Sequence, residues 1–192
     1  MQVVLASSSP RRQKILKMIL RNFKVVSPKI GEDDYLQVSM NPDRIVESLA
    51  LLKASEVADR EKADLVIAAD TLVQLDGRIL GKPTDICQAR QQLRMLSGKW
   101  HRVYTGVALL SKSEVWSSVS VSEVKFREIP LDVIDFYAEE YSHGKAGSYG
   151  IQDLGGAFVE VLRGDFFAVM GLPLGILWQY LYHKGWWSPE TA

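Results

Sequence analysis

Two hairpin signals interrupt a chain that otherwise alternates strand-like and helix-like segments. The first is LVQLDGRIL (72–80), where Asp-Gly stands between two apolar runs. That pair supplies the backbone conformations of a tight two-residue turn. The second runs from His101 to Arg127: RVYTGVALL, then SKSE, then VWSSVSVSEVKF. Hairpins join antiparallel strands, whereas strand–helix–strand units join parallel ones. A chain with both predicts an α/β fold built on a long mixed sheet with flanking helices, not an all-parallel one.

The other segments fill this frame. QVVLA (2–6) and FKVVS (23–27) read as short strands. Between them Ser9 can cap a helix with Pro10 at its first position, where a missing N–H costs little. A second helix starts at Asn41-Pro42 and runs to about Arg60, with Ile45, Leu49 and Leu52 marking its buried stripe. DLVIAAD (64–70) reads as a buried strand ending on an acid. Thr84 or Asp85 opens a helix through Leu96, Pro130 starts another through Tyr141, and Pro173 to Lys184 forms the last, stopped by Gly185. HGKAGSYGIQDLGG (143–156) is a glycine-rich loop, AFVEVLRG (157–164) a strand, and FFAVMG (166–171) an extended apolar segment.

The 192 residues suit one domain, two-lobed at most, spanning 1–192. Lys plus Arg and Asp plus Glu are equal at 23 each, which disfavours a nucleic-acid binder acting through bulk charge. Cys87 is the one cysteine, so no intrachain disulfide forms and a reducing, cytoplasmic setting is expected. Its place in a predicted helix suggests a small core residue. The opening has no secretory pattern and no apolar stretch is long enough to span a bilayer, so no membrane association is expected. The apolar last helix and the tryptophans near it suit packing or a homodimer surface.

Four stretches could carry chemistry. In SSSPRR (7–12) a strand, a small-residue turn and a helix start would aim N–H groups at an anion. Ser7 and Ser9 add hydroxyls, and Arg11 and Arg12 add guanidinium forks that match phosphate oxygens. The same residues also make an ordinary solvated helix start. In AADT (68–71) Asp70 could hold a divalent metal, orient a water, or merely cap a turn. Lys53 and Lys82 read by themselves as solvated surface lysines, although Gly81 and Pro83 constrain the second. In KAGSYGIQ (145–152) Tyr149 offers a stacking face or core filler. The Gln152 amide has the donor–acceptor pair that matches the edge of uracil or thymine.

Taken in order, these pieces resemble the Maf family of nucleoside triphosphate pyrophosphatases along nearly the whole chain. SSSPRR, Glu32 in IGED, LALLKA, AADTLV, GKP and LSGKWHRVYTGVAL each resemble a family segment. KAGSYGIQDLGG resembles the branch that hydrolyses dTTP and UTP rather than 7-methyl-GTP. Two departures stand out: a Leu within LLKA where a polar residue is frequent, and Asp153 after Gln152 where Gly is frequent.

The resemblance implies two lobes around a cleft, as in the inosine triphosphate pyrophosphatases. It also implies hydrolysis to the monophosphate and pyrophosphate, a house-cleaning role, with a divalent cation, Mg²⁺ or Mn²⁺. By matching position, Asp70 is the catalytic carboxylate, with Asp70 and Glu32 as metal candidates. Arg11, Thr71 and Gln152 fall on specificity positions; Ser7, Ser9, Arg12, Lys53 and Lys82 fall to the phosphates. The rival readings are the same chemistry on 7-methyl-GTP or another base, and a nucleotide-binding regulator of cell division without turnover.

Overall fold

The computed structural model describes residues 1–30 and 41–190; Glu32 therefore lies outside the described residues. Among these, strands β1 (Val3–Ala6), β2 (Lys24–Val26), β3 (Leu65–Leu75), β4 (Arg78–Leu80), β5 (Trp100–Ser111), β6 (Val115–Phe126) and β7 (Val159–Arg163) form one mixed sheet. The order is β2-β1-β3-β5-β6-β7, with β4 paired to β3. β1 is parallel to β2 and β3, while β3–β4 and β6–β7 are antiparallel. The mixed α/β class expected from the two hairpins is what forms.

Helices α1 (Pro10–Leu16), α2 (Pro42–Arg60), α3 (Ile86–Leu96), α4 (Leu131–Glu140), α5 (Phe166–Met170) and α6 (Leu174–His183) start and stop close to their local signals. Ser9 and Asp85 cap α1 and α3 by accepting from the backbone N–H of Arg12 and Gln88. Pro42 opens α2. The Asp-Gly turn between β3 and β4 places both residues at positive φ, 48° for Asp76 and 79° for Gly77, as a type I′ hairpin requires.

Three expectations need correction. The strand does not end at Asp70 but runs on to Leu75, because Thr71, Leu72 and Val73 continue the β pattern. FFAVM is not extended: the Asp165 carboxylate accepts from the N–H of Phe167 and Ala168 and turns the segment into α5. Cys87 is exposed, since α3 buries the stripe Ala89, Gln92, Leu93 and Leu96 instead.

The chain divides into two compact units. The first comprises Met1–Asp70, Thr105–Ser120 and Gly171–Ala192; the second comprises Thr71–Tyr104 and Val121–Met170. In the first, α2 lies on the sheet through small residues: Ala50, Ala54 and Val57 pack with Val4, Ala6, Val66, Ala68 and Ala108. At Gly106 the helix backbone is so near that a Cβ would fall 2.4 Å from the Val46 carbonyl oxygen. In the second, the core is aromatic: Phe126 meets His101, Tyr149 and Phe158 edge-on.

Candidate active site

In the first unit two periodicities meet. On β3, alternate residues Val66, Ala68 and Asp70 share a face, and Val66 and Ala68 pack against α2. On α2, Leu49, Lys53 and Val57 repeat at four-residue spacing along its buried side. The next position on each surface brings Lys53 Nζ to Asp70 Oδ1 at 2.5 Å. The two residues are only 3% and 5% exposed. Each charge removes the reason the other would be too costly to bury. Lys53 is thus no solvated surface lysine, and its ammonium faces the carboxylate.

Asp70 also occupies a special place along its strand. β1 is in register with β3 as far as Leu5↔Ile67, and β4 takes over from Val73↔Leu80. The serine turn follows directly on β1, where the Ser7 N–H donates back to the Leu5 carbonyl at 3.0 Å. There the Ser7 hydroxyl accepts from the Ser9 N–H (3.2 Å) and from an Arg12 terminal nitrogen (3.4 Å). Arg12 Nε donates to the Gly171 carbonyl at 2.8 Å, which folds the guanidinium back over the turn. Ser7 is buried, and Arg11 and Arg12 are half-buried. Ser7, Ser9, Arg12, Lys53 and Asp70 therefore all belong to the first unit.

Thr71, Lys82 and Gln152 belong to the second unit. Lys82 and Gln152 are exposed and Thr71 is half-buried. The turn carrying Lys82 is tied to the glycine-rich loop: the Gly81 carbonyl accepts from the Gly147 N–H (3.1 Å) and from Gln92 Nε2 (3.3 Å). The Ser148 hydroxyl donates to Gln92 Oε1 at 2.5 Å. Gly147, at φ +66°, is held against Val73, where a Cβ would fall 2.9 Å from a methyl group. Beyond it, Lys145 and Asp153 form an ion pair across the loop.

Sequence reasoning missed Gln92 and Lys145, and marked Asp153 only as a departure from the family's frequent Gly. Gln92 had a signal, a polar residue on the buried stripe of α3; the Lys145–Asp153 pair had none, because their contact depends on how the loop closes.

Tyr149 is core filler and not a base platform: it is buried, with its hydroxyl 2.9 Å from His101 Nε2. Burial lowers the His101 pKa to about 4. Because the folded pKa lies below the ordinary value near 6.5, the unfolded chain binds the extra proton first. Stability held above pH 6.5 should therefore fall between about pH 6.5 and pH 4, by about 3 kcal/mol from this one group. Denaturant titrations across that range, with His101→Gln as comparison, should show a flatter acid limb in the variant.

Among the described residues no helix is long and apolar enough to cross a membrane, and no three His, Cys, Asp or Glu side chains cluster.

A buried carboxylate–ammonium pair and a serine–arginine turn, on a mixed α/β sheet, characterise this chain. The sequence as a whole places it more narrowly: the family model of the Maf-like proteins matches residues 2–184, and the chain belongs to this family. It is 49% identical over 191 residues to a dTTP/UTP pyrophosphatase of Thermotoga maritima, covering 98% of this chain and 92% of that one. A dTTP/UTP pyrophosphatase of Bacillus cytotoxicus is 45% identical over 175 residues, 91% of each chain. A solved structure of the Staphylococcus aureus Ham1 protein superposes with a TM-score of 0.44 at 15% identity, over 67% of this chain and 73% of that one.

Proposed function

We propose that this chain hydrolyses dTTP and UTP to the monophosphate and pyrophosphate, a house-cleaning activity of a cytoplasmic enzyme. The observation that carries the reading is the buried Lys53–Asp70 pair, in the same unit as the serine–arginine turn. The names of its relatives supply the substrate class. The whole chain is taken as one catalytic domain.

A triphosphate carries about four negative charges near neutral pH, and several cations are needed to offset its desolvation. Arg12 and Lys82, with the hydroxyls of Ser7 and Ser9, serve the phosphates. Arg11, Thr71 and Gln152 select the nucleotide. Hydrolysis requires a water to attack the α-phosphorus as the bond to the pyrophosphate oxygen breaks. Asp70 accepts the proton of that water, and Lys53 holds the carboxylate in place.

A divalent cation also fits the donor set. Lys53 engages Asp70 Oδ1, the carboxylate's second oxygen is a hard donor of the kind Mg²⁺ takes, and Mg²⁺ characteristically takes few carboxylates and completes its shell with phosphates and waters. When bound, Mg²⁺ or Mn²⁺ would spread the charge that develops on pyrophosphate.

The test is pyrophosphate release from a panel of nucleoside triphosphates, with Mg²⁺, Mn²⁺ or a chelator present. Metal-dependent formation of dTMP and UMP, with little turnover of other triphosphates, is expected. Fast turnover of 7-methyl-GTP with none of dTTP or UTP overturns the substrate. Tight dTTP binding without hydrolysis under every metal overturns the enzyme reading.

A further inference from the structure

We propose that Asp153 sets base specificity by locking the Gln152 side-chain amide in a single orientation. The inference rests on the reading above that Gln152 meets the base.

The Asp153 carboxylate is saturated. Oδ1 accepts from the Tyr137 hydroxyl at 2.7 Å and from the Gly155 N–H at 2.9 Å. Oδ2 accepts from Lys145 Nζ and from Gln152 Nε2, the latter at 3.0 Å. An ionised carboxylate offers about four acceptor sites, and here four donors fill them. Asp153 therefore has no capacity left for a base or a metal; its action passes through Gln152.

A carboxylate can only accept, so the amide atom facing it must be the nitrogen. Rotating the amide by half a turn would set Oε1 against Oδ2, two acceptors with no proton between them. Gly150 keeps the amide in place: a Cβ there would fall 2.5 Å from Gln152 Nε2 and 2.6 Å from Asp153 Oδ2. Tyr137, which anchors Asp153, also accepts the Gly150 N–H at 3.0 Å. The amide, its carboxylate and the glycine beneath it form one braced unit, while the Gln152 side chain stays exposed to a ligand.

The locked amide presents Oε1 and its remaining N–H. This edge matches a pyrimidine with a carbonyl at C4 and a protonated N3: Oε1 accepts from N3–H and the amide N–H donates to O4. A 4-amino pyrimidine reverses both roles, since its N4 donates and its N3 accepts. Pairing with it needs the flipped amide, which Asp153 opposes. The lock therefore separates dTTP and UTP from dCTP and CTP, by leaving polar groups unpaired in the wrong complex.

The experiment compares kcat/KM for dTTP and dCTP in the wild-type protein and four variants, with thermal melts to verify folding. In Asp153→Asn the new side chain can accept from Nε2 or donate to Oε1, so both amide orientations are held. The dTTP/dCTP ratio should fall by about tenfold or more, the scale of one charge-assisted hydrogen bond, mainly because KM for dCTP drops. Gly150→Ala, whose methyl group presses on both the Gln152 amide and Asp153 Oδ2 while keeping the carboxylate itself, should narrow the ratio too. Tyr137→Phe loosens the same loop without touching the amide and should lower both substrates in proportion. If Asp153→Asn and Gly150→Ala also lower both in proportion, Asp153 is only a structural brace and the proposal is overturned. Gln152→Ala separates the two readings. An unchanged ratio in that variant overturns base recognition by Gln152; a changed ratio there, with none in Asp153→Asn, overturns the lock alone.

Discussion

Asp70→Asn should lower the rate of pyrophosphate release by about a thousandfold, within the range lost when a general base is removed. Asn keeps a side-chain oxygen for Lys53 Nζ, now 2.5 Å from Asp70 Oδ1, but it leaves the buried ammonium without its counter-charge, so the variant should lose stability as well as rate and is assayed well below its melting temperature. It has no basic lone pair for the proton of the attacking water and no charge to hold a cation. Steady-state assays with dTTP, beside circular dichroism to verify folding, check this. Release at a near-normal rate by a folded Asp70→Asn protein would remove Asp70 from the mechanism.

Lys53→Met should destabilise the protein by about 3–5 kcal/mol, the usual cost of leaving one charge of a buried pair without its partner. Against a total of about 5–15 kcal/mol for a typical domain, that is a large fraction. Both residues lie in the core of the first unit, so solvent offers the stranded carboxylate little relief. Replacing the pair together, Lys53→Met with Asp70→Leu, should recover most of the loss, because a packed apolar pair often matches a buried ion pair. Urea unfolding of the two single variants and the double measures the coupling directly. A Lys53→Met protein with wild-type stability would show that the pair is not desolvated. The double variant should be stable and inactive, which separates the pair's structural role from its chemistry.

Much of the fold was legible because its signals are local. Ser9, Asn41-Pro42 and Asp85 mark helix starts, and Gly185, at φ +68°, marks a helix stop. Asp76-Gly77 marks the hairpin. Each acts through bonds and dihedral preferences within a few residues, so sequence order is enough to read them. Asp70 misled for the converse reason. An acid after an apolar run looks like a strand end, but here the strand continues because its partner changes from β1 to β4. Asp165 misled in the same way, since its cap was hidden by the apolar FFAVM that it turns into a helix.

The site divides along the same line. Sequence by itself determined the mixed α/β class, the starts of the capped helices and the Asp-Gly hairpin, and the residue types able to meet a triphosphate and a pyrimidine edge. It even held a trace of Lys53, which continues the buried spacing of Leu49 and Val57 on α2. Only the tertiary structure decided which charges become partners: Lys53 with Asp70, and Lys145 with Asp153 against the Gln152 amide. A cap or turn gains its stabilisation as soon as a few neighbouring residues order. A buried charge becomes costly, and so comes to need one particular partner, only after helix and strand have packed and excluded the water between them.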